Sequence, residues 1–314
     1  RRFVLALHPW NHGPVEVPTA KYDALRKRHA KSMIAQHATL IDPLSGRRLD
    51  VMDQCVPLRV ASAIQGAPTL SYADSAQGPA KEVEVQDVSS LAAWLQSSHS
   101  RRCSDGRADA SLCVLLTAGP AAGKSSLLSQ LVTHVLNDES QGHLVPVLIR
   151  AQKLQKQLLT PRDRERFGSS WNWVDAALQV EYGETSDQYA MLRQAMVSRR
   201  ALLLIDGIDE GGRMRTEIER HVADVLACQG HPMVVTSRPA GLRSGSFTNF
   251  HQLKLCPLTD GQQLRVIELR TGSNAGPLPR YVADKVPLDP ETGERVTSNP
   301  LMLSVVISIF ESRQ

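Results

Sequence analysis

Short apolar runs alternate with stretches in which apolar residues recur every three or four positions, and this alternation sets the layout from about residue 112 onward. Residues 112–116, 144–149, 201–205 and 233–235 are nearly unbroken aliphatic runs of strand length. That is the pattern of strands buried on both faces of a parallel sheet. Residues 250–255 make a final short strand. Residues 126–135, 171–182, 186–198 and 216–228 carry helical spacing between the runs. After Pro257 the strand pattern stops, and residues 260–270 and 299–310 read as helices. Strands and helices in alternation predict an α/β fold with a parallel β-sheet flanked by helices, followed by a small all-α domain.

The first 82 residues read as a mostly helical N-terminal extension and linker. Phe3, Val4, Leu5, Ala6 and Leu7 suit a short strand or a helix end. Residues 22–38 fit an amphipathic helix with Leu25, Met33 and Ile34 apolar and Arg26, Lys27, Arg28 and Lys31 basic. The basic run is short and lacks interleaved aromatics, so a solvated face explains it better than a nucleic-acid or membrane contact. Asp42-Pro43 and Ser45-Gly46 are turn signals, and residues 66–79 look like a loop or linker. Val83-Glu84-Val85 alternates like an edge strand, Asp87 and Ser89 offer caps for a helix through Leu91, Trp94 and Leu95, and residues 101–111 read as a loop. The expected domains are therefore 1–82, 83–256 and 257–314.

Composition narrows the class. With 314 residues, 42% hydrophobic and 22% charged, the chain is long enough for about two domains with a sizeable core. A net charge of +4 makes no case for nucleic acid as a partner. The longest apolar runs fall far short of the ~20 residues that span a bilayer, and no secretory signal is legible. Cys55, Cys103, Cys113, Cys228 and Cys256 are odd in number, scattered and free of any C-x-x-C pair. They argue against a disulfide framework or zinc site and suit a reducing, cytoplasmic setting; Cys113 and Cys256 read as core residues. A start at Arg1-Arg2 and an end directly after an apolar helical run suggest an excerpt from a longer protein.

Candidate chemistry enters with Ala118-Gly119-Pro120-Ala121-Ala122-Gly123-Lys124-Ser125-Ser126, between the first aliphatic run and the next helix. A triphosphate is wrapped by backbone N–H groups, which small residues allow to come close. A lysine here reaches the β- and γ-phosphates, a serine hydroxyl can ligand Mg²⁺, and the helix that follows directs its N-terminal N–H groups at the phosphates. The strict pattern has Gly where this chain has Ala118, so the stretch alone also reads as a strand-turn-helix containing Gly-Lys-Ser.

Two further motifs end strands of the same sheet. Asp206 closes the run Leu202-Leu203-Leu204-Ile205, and Gly207-Ile208-Asp209-Glu210 follow. Ligands gather at the carboxyl edge of such sheets, so Asp206 is poised to hold Mg²⁺ opposite Ser125, and Asp209 or Glu210 to orient a water. A strand exit with solvated acids is the plainer alternative. Val234-Val235-Thr236-Ser237-Arg238-Pro239 brings Arg238 to the same edge, as a γ-phosphate contact or as the partner of a surface acid, with Thr236 or Ser237 within reach.

At these residues a family resemblance emerges. Asp206-Gly207-Ile208-Asp209-Glu210 resembles the extended Walker B motif of NACHT proteins, in the STAND (NOD-like receptor) group of P-loop NTPases, and Thr236-Ser237-Arg238-Pro239 resembles their sensor motif. Pro257-Leu258-Thr259-Asp260 is similar to the segment leading into their helical domain, and Asn299-Pro300-Leu301-Met302-Leu303 to the motif whose proline packs on adenine. The resemblance spans roughly residues 85–314. It implies a P-loop NTPase fold, ATP or ADP with Mg²⁺ as cofactors, Lys124, Asp206, Asp209, Glu210 and Arg238 in catalysis, and Pro300 at the base. It also implies self-association on ATP binding and flanking effector and sensor domains outside this chain. Ala118 and Ala121 stand where relatives carry Gly, and a Cβ at 121 crowds the phosphates or changes the local φ.

Two kinds of function are weighed, the first implied by the resemblance and the second motivated by Ala118 and Ala121. One is a switch driven by ADP/ATP exchange and slow hydrolysis; the other is a nucleotide-bound scaffold with little turnover. A kinase would need a basic lid, and Arg162, Arg164 and Arg166 read more simply as a solvated loop. No helicase motif is legible, and the absence of Asn-Lys speaks weakly against guanine. Lys153, Lys156 and His143 are expected on the surface, and Trp171 and Trp173 as packing groups.

Overall fold

Aliphatic runs become strands because each can bury side chains on both faces at once, and here nearly every residue does so. The structure, a computed structural model, describes residues 17–42, 44–62, 85–105, 112–137, 144–243, 245–290 and 292–313. It opens with α1 (Thr19–His37), the hairpin β1 (Thr39–Ile41) and β2 (Arg48–Asp50), the short β3 (Val60–Ser62) and α2 (Val88–Asp105). The alternating part follows as β4 (Cys113–Thr117), α3 (Lys124–Asn137), β5 (Val145–Arg150), α4 (Ala151–Leu159), α5 (Pro161–Ser169), α6 (Trp173–Tyr182), α7 (Asp187–Val197), β6 (Ala201–Asp206), α8 (Arg215–His221), β7 (Met233–Ser237) and β8 (His251–Leu255). It closes with α9 (Asp260–Thr271), α10 (Leu278–Lys285) and α11 (Pro300–Glu311).

The main sheet has the order β3-β8-β4-β7-β6-β5. All its pairings are parallel except β3 on β8, which is antiparallel and sits at the edge. Side chains alternate between two cores. Val114, Leu116, Leu202, Leu204 and Val234 pack with α2 and α3 on one face. Leu115, Leu203, Ile205, Met233 and Val235 pack with α6 and α7 on the other. Leu202, Leu203 and Leu204 are fully buried, worth about 1.5–3 kcal/mol each. The parallel register aligns Thr117 with Ser237 and Arg150 with Asp206, so the strands finish level at their carboxyl ends.

At the other edge, α1 lies against β5. His29 Nε2 sits 2.9 Å from the carbonyl of Pro146, and its Nδ1 2.9 Å from Gln188 Nε2. The carbonyl can only accept, so Nε2 is the donor and Nδ1 takes the amide of Gln188. Pro146 has no N–H to give, which suits an edge strand.

Several sequence expectations change. Helix α2 continues to Asp105 where a loop was expected from residue 101. Arg162, Arg164 and Arg166 lie on helix α5, not on a loop: Pro161 occupies its first turn and Asp163 faces the positive end of its dipole. The helix expected over 216–228 is α8 only to His221, then a π-turn over Val222–Leu226 and a 3-10 turn over Ala227–Gln229. Lys153 is exposed and paired with Glu181 at 2.7 Å. Trp173 stacks on His221 at 4.3 Å between ring centres and donates its backbone N–H to His221 Nε2 at 3.0 Å. Trp171 meets His231 edge-on, and His231 is fully buried with no hydrogen-bond partner on either ring nitrogen among the described residues. The expected strand or helix end at residues 3–7, the loop at 66–79, Glu84 and His143 lie outside the described residues. Among those described, no helix is long and apolar enough to cross a membrane.

Candidate functional site

The three motifs meet at the carboxyl edge of the sheet. β4 ends at Thr117, the loop 118–123 turns over, and Lys124 begins α3. Ala118 is buried, and its N–H donates to the carbonyl of Ser237 at 3.2 Å, which ties the loop to the next strand. Ala121 stands at φ +56°, and Gly123 at +97°. Ala121 thus takes the left-handed conformation that a glycine would accept freely, and carries its Cβ there. A Cβ at Gly123 would come within 3.2 Å of Leu58 Cδ1 and 3.7 Å of Pro300 Cγ. The chain passes between an N-terminal leucine and a C-terminal proline at that point.

Lys124 Nζ donates to the carbonyls of Ala118 and Gly119, both at 3.2 Å. The ammonium therefore lies over its own loop. Partial burial pushes its pKa down, against the opposing pull of Asp209. Ser125 Oγ donates to Asp206 Oδ2 at 3.0 Å. Thr236 Oγ1 donates to Asp206 Oδ1 and accepts from the Gly207 N–H, both at 2.8 Å. Thr236 is fully buried, so its hydroxyl fixes the carboxylate from behind. Asp206 offers two oxygens with set directions, one held by Thr236 and one facing Ser125.

Asp209 sits in a 3-10 turn, Ile208–Glu210, directly after β6. Its carboxylate takes both the backbone N–H of Arg238 at 3.0 Å and the Arg238 Nε at 3.1 Å. Arg238 is thus paired within the sheet edge, with 48% of its side chain exposed. Glu210 and Arg238 line a cavity of about 370 Å³, together with Ala121, Ala122, Gly123, Lys124, Ser125 and Ser126. Pro300 and Leu301 of α11 and Leu40 of β1 form part of its apolar wall. Asn299 caps α11 and donates its side-chain amide to the carbonyl of Pro120 at 3.2 Å. That bond fastens the loop to the C-terminal helices.

The donor set suits a small hard cation. The Ser125 hydroxyl and one Asp206 carboxylate stand together, and among the described residues no group of three or more His, Cys, Asp and Glu gathers that could enclose a metal alone. Mg²⁺ characteristically takes one or two protein oxygens and completes its shell with phosphates and water.

Some contributors escape the sequence reading. Leu58, Leu40 and Leu49 reach the cavity from the N-terminal segment, and Arg270 from α9. A buried pair, Arg270 Nη2 to Asp42 Oδ2 at 2.6 Å, joins the hairpin to α9. Asp42 also accepts the N–H groups of Leu44 and Ser45. Burial works against its charge, but those bonds and Arg270 outweigh it and hold its carboxyl below the usual range. Asp42 and Ser45 are legible in sequence only as turn residues, and Leu40, Leu49, Leu58 and Arg270 carry no local motif.

The strand-loop-helix around Gly123-Lys124-Ser125, entering a parallel sheet at its carboxyl edge, gives the chain an α/β fold of the P-loop type. No family model matches the chain, and no curated protein is significantly similar. Solved structures do match. A single-substitution variant of the RuvB protein of Thermotoga maritima is 14% identical, with a TM-score of 0.37, and the match covers 72% of this chain and 61% of that one. The ORC1 protein of Aeropyrum pernix, solved in complex with DNA, is 17% identical, with a TM-score of 0.37, covering 71% and 60%. The chain spans about three fifths of the length of these two structures.

Proposed function

We propose that this chain binds ATP and ADP with Mg²⁺ and works as a conformational switch of the NACHT type, exchanging ADP for ATP and hydrolysing ATP slowly. The observation that carries the reading is the Ser125–Asp206 contact at 3.0 Å, beside Lys124 and opening on the cavity. A hydroxyl and a carboxylate from motifs 81 positions apart stand together, which supports the reading because such an oxygen pair would hold the Mg²⁺ of a nucleotide. When bound, Mg²⁺ would neutralise phosphate charge between Ser125 and Asp206. Lys124 would leave its loop carbonyls for the phosphates. Glu210, which lines the cavity, would orient a water, and Arg238 would exchange Asp209 for the phosphate. Pro300 and its apolar neighbours offer the base a dry wall.

Lys124→Ala tests the reading. Equilibrium binding of ATP with Mg²⁺ is expected to be lost in the variant and present in the parent chain, and equal affinity in both defeats the proposal. The scaffold alternative keeps one specific support, the Ala121 Cβ at the cavity wall. Single-turnover phosphate release from an ATP-loaded sample separates the two, since the scaffold releases none.

A further inference from the structure

One wall of the cavity comes from a part of the chain that no phosphate-binding motif reaches. The hairpin contributes Leu40, Ile41 and Leu49; α9 and α11 contribute Arg270, Leu301 and Ser304. These are two jaws of one cavity, fastened to each other by side chains that line it. Asp42 follows β1 with its backbone bonded to Arg47 and Gly46 across the turn, so its carboxylate is fixed in direction. Arg270 meets that carboxylate with one nitrogen and donates to Ser304 Oγ at 2.9 Å with another. A single guanidinium thereby joins the hairpin, α9 and α11. Its side chain is 3% exposed and that of Asp42 0%. A second pair, Arg47 Nη1 to Glu311 Oε1 at 2.8 Å, repeats the connection at the far end of α11, nearer to solvent.

We propose that the β1–β2 hairpin is a strap that fastens the C-terminal helices over the cavity, and that rupture of the Asp42–Arg270 pair sets the rate of nucleotide release. The proposal rests on the nucleotide reading above. Its physics is that of a desolvated ion pair. Parting the two groups leaves a charge in a dry place until water enters, so the jaws separate rarely. Arg47–Glu311 opens in water and contributes less.

The test is a stopped-flow chase on the full chain, loaded with N-methylanthraniloyl-ADP and mixed with excess unlabelled ATP. Arg270→Gln and Asp42→Asn are each expected to speed release by roughly tenfold or more, and the double variant to be no faster than either alone. Arg47→Glu is expected to speed release by about two- to fivefold. Arg47→Glu combined with Glu311→Arg restores the parent rate. An unchanged rate in Arg270→Gln overturns the strap. Should that variant fail to fold, the charge-exchange series decides, and one rate throughout it overturns the strap equally. A parent chain that loads no labelled ADP overturns the nucleotide reading itself, a result distinct from loading with an insensitive release rate.

Discussion

Replacing Ala121 by glycine should make the protein more stable, the reverse of what that exchange usually does. Ala121 holds φ +56° within the loop between β4 and α3. For a residue with a Cβ, the left-handed region costs roughly 1–2 kcal/mol. Glycine removes that penalty but adds about 0.4–1 kcal/mol of backbone freedom to the unfolded chain. The difference leaves Ala121→Gly more stable by about 0.5–1 kcal/mol, a rise of roughly 1–3 °C in the unfolding midpoint. Urea and thermal unfolding of the nucleotide-free chain measure it. Two companions calibrate the result. Arg199, at φ +57° and far from the loop in sequence, should gain similarly on replacement by glycine. Gly123→Ala should lose about 1–3 kcal/mol, because Gly123 has φ +97° and its new Cβ meets Leu58. A lower midpoint for Ala121→Gly refutes the strain argument. A higher midpoint with tighter ATP binding adds that the methyl group crowds the ligand as well.

Further predictions concern the site and its supports. Burial pushes His221 and His231 down to about 4, so the unfolded chain takes up protons that the folded one refuses. Stability should then fall as pH drops from about 6.5 toward 4 and level off above; His231→Phe should flatten that fall in urea titrations, and an identical slope removes His231 from the explanation. Thr236→Val strands the Gly207 N–H and unties one side of Asp206. It should destabilise by about 1–3 kcal/mol and slow phosphate release while ADP affinity holds, whereas equal loss of both would contradict the positioning role. Gly241→Ala puts a Cβ 2.5 Å from that of Asp209. Asp209 must move and carry Arg238 with it, costing about 1–3 kcal/mol and weakening ATP binding more than ADP binding; denaturation curves identical to the parent's would exclude the contact.

Strands β4 to β7 are legible in sequence because each is an aliphatic run too apolar for anything but a doubly covered sheet. Strand β3 is not: Val60-Ala61-Ser62 is three residues long and exists through its pairing with β8. Helix α5 buries only Phe167, so its sequence looks like a charged loop until Pro161 and Asp163 are seen starting a turn. Nothing in residues 216–228 announces the π-turn. The carboxyl edge that collects Ser125, Asp206, Thr236 and Arg238 follows from parallel strands of matched length, which is why three separate motifs suffice to locate it. What touches that edge from outside is illegible for the opposite reason. Asp42 and Arg270 lie 228 positions apart, and neither the turn signal at Asp42 nor the helical spacing that ends at Arg270 says that the two meet. Leu58 reaches Gly123 through tertiary packing alone.

The position of α1 carries a consequence for solubility. Among the described residues, the outer edge of β5 is a row of backbone groups with no strand beyond it, and such a row is a template on which a second chain can add a strand. Pro146 interrupts the row, and His29 occupies its carbonyl from α1. A fragment trimmed to begin after His37, cut to isolate the main sheet and its helices, would keep every residue of the 118–125 loop and still shed this guard. Such a fragment is expected to precipitate through edge-to-edge pairing. Pull-down experiments with it would then capture β-strand adhesion and report it as partnership.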